Sequence, residues 1–238
     1  MHLALLMANT DESDFARAHP RDSEKFQTLI HLVRPGWTVQ SFSVKDGVFP
    51  DDISRFDGVM ITGSPASVHD PDPWIADLMA LIRQIVTARQ PLFGACFGHQ
   101  AIALALGGQV GPNPGGWVFG RTETHTTTPA PWMTILPATT GLYAAHVEQV
   151  TALPAQARRL STSPECPIGG FAIGNHIYTT QYHPEMTPGF IAALIEHLKD
   201  DKPADVVSRA RASLAEPADT QPFAESIARF FEQTKARG

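Results

Sequence analysis

Three groups of residues have the types and spacing that acyl transfer needs. The first is a single cysteine, Cys96, with Gly94 and Gly98 two residues away on either side. An apolar run, Pro91, Leu92 and Phe93, leads into it. A helix-patterned run over residues 100–106 leads away and stops at Gly107 and Gly108. Strand, sharp turn and helix, with a nucleophile at the turn, make a Gly-x-nucleophile-x-Gly elbow with sulfur in place of a serine oxygen. Glycine suits both flanking positions because so tight a turn leaves no room for side chains. At a helix N-terminus the unpaired N–H groups and the helix dipole favour a thiolate. A free cysteine in an apolar run is more often a small buried hydrophobe, so Cys96 needs partners before it reads as chemistry.

The second group supplies a base. The chain has ten histidines, and proximity in sequence selects none of them. His183 stands out because it follows an apolar strand pattern in Gln-Tyr-His-Pro-Glu, residues 181–185. In parallel α/β sheets reactive groups gather at the carboxyl ends of strands. Glu185, two residues on, can accept the second imidazole N–H and fix the ring. Alone, His183 would be a loop-end histidine beside a proline, and Glu185 a helix N-terminal carboxylate. The third group is Gly63, Ser64 and Pro65 at the end of another buried strand pattern. The backbone N–H groups of Gly63 and Ser64, with that of Phe97 directly after the cysteine, can form an oxyanion hole.

These groups need elements to hold them. Residues 2–8 read as a buried strand, followed by a helix capped at Ser23 with Phe26, Leu29, Ile30 and Val33 on one face. Residues 37–42 alternate as a strand, residues 57–62 form a buried strand, and residues 74–88 form a helix. Residues 91–95 and 97–106 are the elbow's strand and helix. Strands alternating with helices imply an open, mostly parallel twisted sheet with helices on both faces, an α/β fold of flavodoxin-like type. Residues 111–120, rich in Gly and Pro, read as a loop. Short strands are expected at 121–128, 133–136, 147–150, 171–173 and 177–182, and helices at 188–198, 204–214 and 222–235. Residues 1–200 then form one α/β domain, and residues 201–238 a C-terminal helical extension packed on it.

Bulk properties narrow the function. The 43% hydrophobic and 18% charged content is that of an ordinary globular chain. A net charge of −6 and a pI near 5.9 argue against nucleic acid as partner, and no basic amphipathic stretch suggests a membrane surface. The apolar run at residues 3–8 is short, lacks a Lys/Arg lead and meets Asp11 and Glu12, so it reads as a first strand and not as a signal peptide. Two cysteines in unlike contexts make no disulfide framework, which fits the reducing cytoplasm. No phosphate loop, zinc spacing or dinucleotide fingerprint occurs, so neither a metal nor a cofactor is expected.

Taken together, Gly-Ala-Cys-Phe-Gly-His-Gln, Gln-Tyr-His-Pro-Glu and Ile-Thr-Gly-Ser-Pro resemble the class I, triad-type glutamine amidotransferases. They occur in that family's order, and the resemblance spans roughly residues 1–200. The stand-alone branch that includes plant γ-glutamyl peptidases is most similar, through residues 44–50, 107–111, Gly116 with Trp117, and Gly120 with Arg121. The resemblance implies that Cys96 attacks the side-chain amide of glutamine or of another γ-glutamyl compound. His183 protonates the leaving amine and activates water, and Glu185 orients His183. Gln100 matches the family's Cys-x-Gly-x-Gln and would help hold the substrate. Residues 146–154 resemble the family's Ser-His-x-Asp-x-Val-x-x-Leu-Pro, so Ala145 and His146 would lie at the amino-acid end of the substrate. Ala145 replaces the usual Ser, Glu148 the usual Asp, and Ser64 the second glycine of the oxyanion turn. Cys166 has a family counterpart but no elbow, and it reads as structural.

Three readings follow. The first is a stand-alone hydrolase of γ-glutamyl amide bonds acting on a small-molecule substrate. The second is an ammonia-supplying glutaminase subunit whose partner is a separate synthetase chain, because the region after residue 200 is too small for a synthetase. The third is a non-catalytic binding protein on the same fold. Residues 66–74, 112–121 and 143–149 are the loops in which substrate choice would lie.

Overall fold

The computed structural model describes residues 1–235. A nine-stranded sheet forms its centre, in the order β2-β1-β3-β4-β11-β10-β9-β6-β7. The site-bearing half contains β1 (His2–Met7), β2 (Thr38–Ser43), β3 (Gly58–Ile61), β4 (Leu92–Ala95) and β11 (Ile177–Thr180). All four pairings in that half are parallel. The other half continues antiparallel through β10 (Gly170–Ile173), β9 (Arg158–Thr162), β6 (Val118–Thr126) and β7 (Thr139–His146). A separate antiparallel pair joins β5 (Gln109–Pro112) to β8 (Glu148–Ala152).

The central parallel strands β1, β3 and β4 are covered on both faces, which is why they read as unbroken apolar runs. Strand pleating sends alternate residues of β1 to opposite sides. Ala4 and Leu6 join Val59, Ile61 and Leu92 under α3 (Pro73–Thr87) and α4 (Phe97–Ala105). Leu3 and Leu5 join Met60 and Phe93 under α2 (Asp22–His31) and α7 (Thr220–Lys235). Edge strand β2 is mostly exposed or half-buried. A third cluster places Ile191 and Ile195 of α5 (Pro188–His197) and Val207 and Ala210 of α6 (Ala204–Ser213) against Phe119 and Tyr143.

The C-terminal helices belong to these cores. Phe223, Ile227, Phe230 and Phe231 of α7 are almost wholly buried. Phe231 lies so close to β3 that a Cβ on Gly58 would be 2.5 Å from its ring. Truncating such a phenylalanine costs about 3–5 kcal/mol. Residues 236–238 of the expected extension lie outside the described residues.

Several elements differ from the sequence expectation. Helix α2 is capped at Arg21, not Ser23, because Glu24 reaches back to the Arg21 N–H at 2.7 Å. Residues 133–136, expected as a strand, begin inside a 3-10 turn over Pro131–Met133 and continue as turn and bend. Pro131 starts that turn, and Met133 and Leu136 donate to carbonyls three residues back, at 2.9 Å each. The expected loop at 111–120 contains the end of β5 and the start of β6. Strands β7 and β9 and a one-turn helix α1 (Asp14–Arg17), capped by Ser13, are additional.

Candidate active site

Three adjacent strands deliver the site. Gly63 lies two residues beyond β3, Cys96 directly follows β4, and His183 lies three residues beyond β11. Because β3, β4 and β11 are neighbours and run parallel, their carboxyl ends open at one place.

The elbow is tied to both flanking strands. The Cys96 N–H donates to the Thr180 carbonyl at 2.9 Å, and the Gly98 N–H to the Thr62 carbonyl at 3.1 Å. Cys96 has φ 50° and ψ −105°, a conformation that L-residues rarely adopt and that costs on the order of 1–3 kcal/mol. The glycines permit it. A Cβ on Gly98 would lie 2.6 Å from the Ile61 carbonyl oxygen, and one on Gly94 2.6 Å from Ile102. As expected for an elbow, Cys96 caps α4 from its N-terminal end.

His183 Nδ1 lies 2.6 Å from Glu185 Oε1, and the Cys96 sulfur is near enough to the same ring to influence its charge. Its backbone N–H donates to the Tyr143 carbonyl at 2.8 Å, which fastens the segment to β7. Cys96, His183 and Glu185 are only 5%, 6% and 6% exposed, so solvent screens them little. Burial alone would lower the His183 pKa. The Glu185 carboxylate and the Cys96 sulfur beside it outweigh that and raise it well above 6.5. The order sulfur, imidazole, carboxylate is that of a nucleophile, its base and the group that orients the base. Removing one partner of such a buried set typically costs about 3–5 kcal/mol.

The Gly63 position admits only glycine. A Cβ there would fall 2.7 Å from His183 Cε1 and 3.5 Å from the Cys96 Cβ. The N–H groups of Gly63, Ser64 and Phe97 donate to no acceptor among the described residues, which leaves them available to an oxygen at the cysteine. The Ser64 hydroxyl turns away and accepts from the Ala66 N–H at 3.1 Å.

Gln100 and His146 meet at one carbonyl. Gln100 Nε2 donates to the Glu148 oxygen at 2.8 Å, and His146 Nδ1 to the same oxygen at 3.1 Å. His146 is held down to about 4, mainly by burial, with the His183 charge adding to it. It is therefore neutral near pH 7, and its buried Nε2 has no partner. Ala145 packs against the cluster of α5 and α6, so its side chain is committed there and only its backbone is left for a ligand. Cys166 is wholly buried, and neither cysteine is in a disulfide.

Gln181 escaped the sequence reading as a site residue. It is wholly buried, and its Nε2 donates to Cys96 Sγ at 3.6 Å. The available signal was its place in the same Gln-Tyr-His-Pro-Glu run, two residues before His183. No cluster of three or more His, Cys, Asp or Glu able to hold a metal ion occurs among the described residues. No described helix is long and apolar enough to cross a membrane.

The chain is similar to known proteins. The family model for class-I glutamine amidotransferases matches residues 26–196. γ-Glutamyl peptidase 5 of Arabidopsis thaliana is 28% identical over 225 residues, covering 90% of this chain and 89% of its own. The glutamine-hydrolysing GMP synthase of Aeropyrum pernix is 30% identical over 138 residues, covering 56% of this chain and 25% of the synthase. A solved glutamine amidotransferase from Thermotoga maritima superposes with a TM-score of 0.74 at 17% identity, covering 99% of this chain and 98% of its own. With more than half its length matched by the family model, the chain belongs to the class-I glutamine amidotransferase family of enzymes.

Proposed function

We propose that this protein hydrolyses γ-glutamyl amide bonds, in glutamine or in γ-glutamyl peptides, through a covalent thioester on Cys96. The observation that carries the reading is the convergence of Cys96, His183 and Glu185 beyond β4 and β11, next to unpaired N–H groups at Gly63, Ser64 and Phe97. The Cys96 thiolate attacks the γ-carbonyl carbon. A C–S bond forms, and the carbonyl electrons move onto oxygen, which the three N–H groups receive. Collapse breaks the C–N bond as protonated His183 gives its proton to the departing amine. His183, now neutral, takes a proton from water, and the hydroxide breaks the C–S bond to release glutamate. Glu185 holds the imidazole in place and stabilises its charge throughout. The segment around His146 and Glu148, with Gln100, forms the wall for the amino-acid end of the substrate.

The likeness to γ-glutamyl peptidase 5 extends over nearly the whole of both chains, which favours a stand-alone hydrolase. The shorter match to GMP synthase supports a second reading, in which a separate synthetase chain receives the ammonia. Purified protein offered glutamine, glutathione and γ-glutamyl dipeptides, with released glutamate measured, separates the two. Robust turnover of any of them without a partner is the expected result. Turnover that appears only with an added synthetase gives the second reading. No turnover under either condition overturns both.

A further inference from the structure

We infer that Gln181 is a positioning residue that donates a hydrogen bond to the Cys96 thiolate and is held in that orientation by a relay running from the Glu148 carbonyl through Gln100. The inference rests on Cys96 as the nucleophile and adds a second donor, opposite in kind to His183, to the same sulfur.

The direction of the relay follows from its far end. A backbone carbonyl can only accept, so Gln100 must turn its NH2 toward Glu148, at 2.8 Å. The second hydrogen of that NH2 points at Gln181 Oε1, 3.3 Å away. With its carbonyl oxygen engaged, Gln181 presents its own NH2 to Cys96 Sγ, at 3.6 Å. The alternative orientation would set two carbonyl oxygens facing each other and a third facing sulfur. Gln181 is wholly buried and Gln100 nearly so, which means that water cannot substitute for a lost link. The Gln181 backbone is fixed as well, its N–H donating to the Gly169 carbonyl at 2.9 Å. His146 donates to the same Glu148 carbonyl, so the proposed substrate wall and the sulfur share one hydrogen-bonded chain of three side-chain and backbone groups.

The chemistry of such a donor is specific. A neutral amide stabilises the thiolate without offering a proton for transfer, which leaves proton delivery to His183. It also stabilises sulfur when the thioester breaks and the thiolate departs. The cost is nucleophilicity, because a better-stabilised thiolate attacks more slowly.

The test uses the full-length protein and iodoacetamide, with the modified Cys96 peptide quantified by mass spectrometry between pH 5 and 9. Gln181→Met keeps the volume and removes the donor. Its alkylation midpoint is expected to move up by about one pH unit, the scale of one hydrogen bond to a charged group. Alkylation is then about threefold slower below the midpoint, where an about tenfold smaller thiolate fraction is partly offset by the more nucleophilic thiolate, and about threefold faster on the alkaline plateau. This crossing of the two profiles is the signature, since a merely loosened pocket would raise or lower the rate at every pH. Gln181→Glu retains an acceptor for Gln100 and should move the midpoint the same way. It serves as the second variant if Gln181→Met does not fold. Gln100→Met, which frees the far end, should give a smaller shift of the same sign. Profiles of both Gln181 variants that overlay the wild type overturn the inference. The alkylation readout needs no turnover, so the inference can fail while γ-glutamyl hydrolysis stands, and the reverse.

Discussion

Cys96 and Cys166 are both free and both buried, at 5% and 0% exposure, so exposure does not distinguish them. Their surroundings do. Cys166 sits in a small turn where its backbone N–H donates to the Ser163 hydroxyl at 3.0 Å and its carbonyl accepts from the Ser163 N–H at 2.9 Å. Burial pushes its thiol up to about 12, and it is neutral at any physiological pH. Cys96 is buried at a helix N-terminus, with Gln181 donating to its sulfur and the His183 imidazole beside it. At Cys166 burial outweighs the neighbouring polar groups and keeps the sulfur neutral, whereas burial beside a charged partner strengthens the interaction between the two. The fold also stores strain at Cys96, where φ is positive, and places no such strain at Cys166.

The largest expected break in this contrast is Cys96→Ala. Hydrolysis of the γ-glutamyl substrate should fall by at least about 10⁴-fold, because residues that act as one unit fail together. The fold should persist, checked by an unchanged circular dichroism spectrum. Residual turnover above one per cent would mean that another group, Cys166 included, is the nucleophile. His183→Ala should be nearly as damaging. Glu185→Gln should be milder than loss of the nucleophile or base, roughly 10⁴-fold against about 10⁶-fold, since it removes the orienting charge but keeps the imidazole. It also has a pH signature. The raised His183 pKa means that the acid form, the one that protonates the leaving amine, persists above the usual histidine range. Activity should therefore decline as pH rises through that raised value. Losing the Glu185 charge should bring the alkaline limb of kcat/KM to lower pH, and a limb that stays in place would remove Glu185 from this role.

The contrast also shows what the sequence could reveal. Gly94 and Gly98 mark Cys96 because the elbow's steric demand falls on those two positions and can be read locally. Strands β1, β3 and β4 were legible because burial on both faces leaves no polar residue to obscure them. Strand β9 has only Leu160 and Ser161 buried, so its pattern is too thin to read. Strand β7 begins Thr-Thr-Gly, and its burial depends on pairing with β6. The start of α2 was misplaced because Ser23 resembles a cap while Glu24 actually secures Arg21. Gln181 stood in plain view in its motif, but its direction is set by Gln100 and a carbonyl contributed from β8, a tertiary relation that local pattern does not carry.

Cys166→Ala is the smallest effect and the sharpest check on the contrast. The substitution removes a sulfur that burial keeps neutral, and Cys166 makes no strained backbone turn. Turnover should stay within about twofold of wild type, and alkylation of Cys96 should keep its pH profile. Stability should fall by about 1 kcal/mol, the scale of a small group deleted from a packed interior, read as a lower denaturant midpoint at unchanged slope. Cys166→Ser should cost more than Cys166→Ala, since a hydroxyl in that dry position gains a desolvation penalty that a methyl group does not. The order Ala above Ser in stability, with both near wild type in turnover, marks Cys166 as a packing residue. A loss of turnover in Cys166→Ala at full stability would instead join the two sulfurs in one mechanism and dissolve the distinction between them.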